Sequence, residues 1–179
     1  PNNEKWVFAL QSIMPADDYI AFLREGLAQR PPHVNWHRAY QSVVQAAHPE
    51  HDLAAEYDAY LGEDPDNPDL LYLAGRASSD IDRSIELYRR AAQAQPPSAY
   101  AANGLAYQLI SEGKFEEAVP LVEQAVAADP DSMTFDQVDR TVKLATGRYD
   151  ELIRKVEQRS DNTLGGLMRV SQVVELLGY

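Results

Sequence analysis

Four histidines fall into two tight pairs, His33 and His37 in "HVNWH" and His48 and His51 in "HPEH". Two histidines spaced i, i+4 on one helix face are a zinc-holding arrangement, because both imidazoles then point the same way. The metalloprotease form also needs an intervening Glu, and none stands there. The eleven residues from His37 to His48 separate the pairs by roughly 16 Å along a helix. No single metal reaches both, so these are read as ordinary helix and loop histidines, and no metal site is expected.

Acidic pairs are the other candidates for chemistry: Glu116 with Glu117, and Asp80 with Asp82. An acid–base couple needs surroundings that push its two pKa values apart. Both pairs instead sit where helices are expected to begin, in exposed turns, and negative charge there complements the helix dipole. Charge patterns such as Glu86 to Arg90 give the i, i+4 pairs of a solvated face. No GxSxG nucleophile elbow, glycine-rich phosphate loop or nucleotide motif is present. No catalytic residue and no cofactor is expected.

The bulk composition narrows the class further. Lys and Arg number 16 against 28 Asp and Glu, for a net charge of −12. Phosphate backbones and anionic membrane surfaces are held by concentrated basic residues, and this chain has no basic run. Nucleic acid is therefore not an expected partner; the acidic surplus is read first as a contribution to solubility, though it would also steer a cationic protein or peptide favourably. Cysteine is absent, which removes disulfides, thiolate metal sites and cysteine nucleophiles from these residues and fits the cytoplasm. No apolar run approaches the roughly 18 residues of a membrane span, and no N-terminal signal pattern is visible. Proline rather than methionine at position 1 suggests an excised domain of a larger protein or a processed product.

The elements that must position these residues show as helical periodicity. Tyr100, Ala102, Leu105, Ala106 and Leu109 form one stripe; Phe115, Ala118, Val119, Val122, Ala125 and Val126 form a second. Gly113 lies between them, where a helix end favours a residue that tolerates positive φ. Asp129-Pro130 closes the second helix, because proline disfavours helical backbone in the residue before it. Pro120 falls inside that helix and predicts a bend. Closing prolines recur at Pro31, Pro65, Pro96 and Pro130, at intervals of 34, 31 and 34 residues. Residues that open the first helices keep step with them: Trp6, Trp36, Leu71, Ala102 and Phe135. Such a period predicts a solenoid of helical hairpins.

Ala102, Leu105, Ala106, Leu109, Gly113, Phe115, Ala118, Val122, Ala125 and Pro130 occupy the spacing of a tetratricopeptide repeat, and the chain resembles that family. The likeness is strongest at 99–132 and good at 67–97, where Leu71, Ala74, Gly75, Tyr88, Ala91 and Pro96 match but the turn around Ser78-Ser79-Asp80 is about three residues short. It is looser at 33–66 and 132–161, and loosest at 1–32. The "EEAVPLVEQAV" stretch is similar to repeats of the kinesin-light-chain type. The resemblance implies an all-α, right-handed superhelical solenoid in a single domain, 1–179. Its repeats fall near 1–32, 33–66, 67–97, 98–131 and 132–161, with a capping helix at 163–178. Ala106, Ala118, Ala125 and Gly75 are where helix backbones approach closely, and Phe115 and Tyr88 fill gaps between units.

The family's concave groove implies a binding surface, one and five residues after each leading position: His37 and Gln41, Tyr72 and Arg76, Asn103 and Tyr107, and Asp136 and Arg140. Tyr and Arg are favoured anchors of protein interfaces. The family's carboxylate clamp for acidic chaperone tails is missing, since Asn103 stands where it takes lysine and Tyr107 where it takes asparagine. The resemblance thus implies a non-enzymatic interaction module holding a partner's peptide or helix in the groove. The alternative is a scaffold or spacer that associates with itself or with a flanking domain.

Overall fold

The computed structural model describes residues 5–159, and among them every regular element is an α-helix. The expected capping helix at 163–178 lies outside the described residues, as does the side chain of Trp6. The helices are α1 (Lys5–Leu10), α2 (Ala16–Leu27), α3 (Val34–Ala47), α4 (Leu53–Glu63), α5 (Pro68–Ala77), α6 (Ile81–Gln93), α7 (Ala99–Ser111), α8 (Phe115–Ala128), α9 (Met133–Ala145) and α10 (Tyr149–Arg159). They pack as sequential hairpins. The chain divides into two units, 1–102 and 103–179, with the division inside α7.

Local chemistry fixes where the helices start. The Asp52 carboxylate accepts the Ala55 N–H at 2.9 Å and opens α4. Asn67 accepts from Asp69 and Leu70, both at 3.1 Å, and Pro68 supplies a preset φ in the first turn of α5. Asp80 caps α6 through the Arg83 N–H, while Glu116 and Glu117 occupy the first turn of α8. The acidic pairs flagged in the sequence are thus placed for capping and dipole effects.

Two helices stop in the same way. Gly113 has φ +76°, its N–H donates to Ile110 O at 3.0 Å, and Lys114 N–H reaches Leu109 O at 2.8 Å. Gly147 has φ +70°, with Arg148 N–H on Lys143 O at 2.8 Å. Each is a Schellman ending, which satisfies carbonyls the last turn leaves open. Pro120 does not break α8, which runs unbroken from Phe115 to Ala128 with the proline exposed. Water thus reaches the turn where Pro120 lacks an N–H for Glu116 O.

In unit 1 the core is built from Tyr19, Leu23, Tyr40, Tyr57, Leu70 and Leu73, with their neighbours. Trp36 lies against Gly26, where an added Cβ would fall 2.3 Å from the indole, and its Nε1 donates to Leu23 O at 2.5 Å. Gly75 gives α6 the same close access to α5: a Cβ there would meet Tyr88 Cε1 at 2.7 Å, and Ser84 Oγ donates to Gly75 O at 2.7 Å. Tyr88 therefore packs within its own hairpin, against Gly75 and Tyr72. In unit 2 small residues do the same work, with Ala106 and Ala118 fully buried beside Val119, Val122, Val138 and Val142.

Candidate functional site

α3 and α5 of unit 1 touch, and their facing side chains make a connected polar and aromatic face. Gln41 is buried; its Nε2 donates to Leu73 O at 2.9 Å, and its Oε1 accepts from Arg76 Nη1 at 2.6 Å. Arg76 also donates through Nη2 to Ser42 Oγ at 2.9 Å. Tyr72 is buried, stacked on Tyr88 at 5.5 Å and tilted against Tyr100 at 5.6 Å. Burial raises the Tyr72 hydroxyl pKa, and Arg38 and Arg76 oppose that rise. Arg38 lies over the Tyr100 ring at 5.0 Å and donates to Asn35 Oδ1 at 2.9 Å, while its Nε is buried with no acceptor.

His37 is fully buried behind this face. Its Nδ1 and the Tyr57 hydroxyl lie 3.0 Å apart, and the Tyr57 and Tyr60 rings meet it edge-on. Its Nε2 has no partner among the described residues. Burial, reinforced by the positive charge of Arg30 and by His33, lowers its pKa to about 4. It is neutral at pH 7. His33 stands at the N-cap of α3, so the two histidines of "HVNWH" occupy unlike surroundings.

In unit 2, Asn103 and Tyr107 sit one turn apart on α7. Tyr107 is 66% exposed, whereas Asn103 is half-buried and its Oδ1 is a buried acceptor without a donor among the described residues. Arg140 on α9 pairs with Asp136 at 3.4 Å. Beside them Asp139, only 3% exposed, is gripped by Lys143 at 3.0 Å and by Lys155 of α10 at 2.5 Å. Lys155 also reaches Asp136 at 3.0 Å, which ties α10 to α9.

His48 and His51 line a depression of about 530 Å³ with Asp17, Arg24, Glu50 and Asp52. His48 Nε2 bonds Asp17 Oδ1 at 2.8 Å, and that bond raises its pKa. His51 bonds Glu56 at 2.7 Å, and the Tyr40 hydroxyl donates to the same carboxylate at 3.1 Å. Among the described residues no group of His, Asp and Glu has an arrangement that could hold a metal ion, and no helix is long and apolar enough to cross a membrane.

The sequence-expected surface residues therefore meet different fates. His37, Gln41 and Tyr72 are engaged within unit 1, Arg76 is half-buried on its face, and Tyr107 stands out from unit 2. Arg38 and Ser42 were missed. A signal for them existed: Arg38, Gln41 and Ser42 are spaced i, i+3 and i+4, which puts all three on one face of α3. The expected Glu86–Arg90 pair is also replaced, since Glu86 meets Arg89 at 2.9 Å and Arg90 turns to Asp66 at 3.8 Å.

A family model for the tetratricopeptide repeat matches residues 76–134, from the last turn of α5 through α8 into α9. Such repeats generally serve as protein–protein interaction modules. No curated protein matches the chain.

Proposed function

We propose that this chain is a non-enzymatic protein-binding module that takes a partner's peptide or helix on the faces of the first helices of its hairpins. The observation that carries the reading is on α7, inside the matched segment. Tyr107 offers a large amphipathic side chain to solvent, one turn from the unsatisfied Asn103 Oδ1. An unfilled buried acceptor costs free energy that a partner's donor recovers, and tyrosine supplies contact area at low entropic cost.

Capture from lysate tests it, with the native chain compared with Asn103→Ala and Tyr107→Ala variants of equal helicity. A protein held by the native form and lost by the variants, with Tyr107 protected from hydroxyl-radical labelling in the complex, supports the module. Equal retention by all three forms would remove the α7 face as the site.

A second reading, self-association, is favoured by Met133, Tyr149 and Ile153, which are large exposed apolar residues of unit 2. Light scattering across a concentration series separates the two, since self-association gives a mass that rises with concentration and the module reading does not require it.

A further inference from the structure

Within unit 1 the arginines divide into two groups. Arg30, Arg83, Arg89 and Arg90, with exposed side chains, each meet a carboxylate. Arg38 and Arg76 are half-buried, where an unbalanced charge costs most, and neither forms an ion pair among the described residues. Their acceptors are the neutral groups of Asn35, Gln41 and Ser42, with the Tyr72 hydroxyl also bonded by Arg38. Arg24 is also outside any ion pair, but it lies over the Tyr40 ring and feels Glu56. Asp69, the acidic group that bears on Tyr72, is turned to the Ser98 hydroxyl at 3.3 Å.

The two guanidinium groups belong together. Arg76 is anchored to Gln41 and Ser42, one turn of α3 beyond Arg38, a rise of roughly 5 Å. Both act on the same Tyr72 hydroxyl and on Tyr88. Arg38 is held in place by the Tyr100 ring, and its Nε is one more buried donor without an acceptor. A planar guanidinium presents paired donors that match a carboxylate. In a chain of net charge −12, an unpaired cationic couple is a local exception to the overall field.

We propose that the α3–α5 face of unit 1 recognises an Asp or Glu side chain of a partner segment, seated between Arg38 and Arg76. This rests on the binding-module reading and names the chemistry of one contact. The overall negative charge opposes the approach of an acidic partner at long range, but that repulsion is screened beyond about 8 Å at physiological salt, whereas the half-buried contact is screened much less. The complex therefore persists at 0.15 M salt.

The probe is a peptide of alternating Glu and Ala, capped at both ends so that no terminal carboxylate takes part, beside its Gln-for-Glu counterpart. Fluorescence anisotropy is expected to show the Glu peptide binding the native chain ~10-fold or more tightly than the Gln peptide, the scale of a charge-assisted hydrogen bond. Arg76→Gln and Arg38→Gln should each bring that ratio close to one, while Arg83→Gln leaves it unchanged. Should either variant lose helicity, the native chain still decides, because the Arg38 and Arg76 Nε–H resonances must shift on adding the Glu peptide and stay still with the Gln peptide. Equal binding of the two peptides or unmoved arginine resonances would each overturn the proposal. Selection from an unbiased peptide-display library separates it from the reading beneath it. Acidic sequences lost on Arg76→Gln support both; non-acidic sequences lost on Tyr107→Ala keep the module and sink the acidic contact; no enrichment removes both.

Discussion

His37 shows how one side chain reports on its surroundings. Its pKa falls from 6.5 unfolded to about 4 folded, so between those values the unfolded chain binds more protons. Its contribution is full above pH 6.5 and is lost as pH falls toward 4, up to about 3 kcal/mol. Urea unfolding at pH 7 and pH 4.5 should give a smaller stability difference for His37→Gln than for the native chain. His48 has the opposite sign, since Asp17 raises its pKa: its contribution is present below 6.5 and fades as pH rises through the folded value. Asp139 is the second residue whose removal is costly. Asp139→Ala leaves Lys143 and Lys155 half-buried, with Asp136 and Glu151 as their remaining acidic partners among the described residues, and is expected to destabilise by about 3 kcal/mol in chemical denaturation. Neither effect was legible in the sequence. There His37 was one of an i, i+4 pair and Asp139 was one acidic residue among 28; burial makes each of them matter.

At the scale of the helix, two glycines of like sequence setting part company. Gly62 in α4 has open space where a Cβ would go, so Gly62→Ala should stabilise by about 0.5–1 kcal/mol through helix propensity. A Cβ added at Gly75 in α5 would fall 2.7 Å from the Tyr88 ring and 3.2 Å from Ser84 O, and Gly75→Ala should cost about 1–3 kcal/mol despite the same propensity gain. Thermal unfolding followed by circular dichroism reads both. Helix ends were the most legible part of the fold. Gly113 was expected to end a helix from its spacing alone, and its φ of +76° and paired amide bonds follow from the lack of a Cβ. Pro120 was less so. A proline breaks a local bond wherever it lies, but on the exposed side of α8 solvent covers the loss, and exposure is not a local property.

For the molecule as a whole, 28 acidic residues against 16 basic ones make self-repulsion a term in stability. Raising salt from low to physiological strength should raise the melting temperature of the native chain, because screening relieves that repulsion more than it weakens exposed ion pairs, each worth under ~1 kcal/mol. Calorimetry across a salt series checks this. The sequence by itself determined the all-α class, the hairpin period, the helix ends and the likeness to the tetratricopeptide repeat, since these rest on spacing and on residues whose backbone preferences travel with them. Only the tertiary structure decided which side chains of the expected surface face solvent. Periodicity gives the direction in which a side chain leaves its helix, but not what arrives to cover it. Tyr57 and Tyr60 of α4 close over His37, and Tyr88 of α6 closes over Tyr72, while Tyr107 of α7 remains exposed. Burial is a property of the neighbour as much as of the residue, and neighbours in a hairpin stack are set by packing.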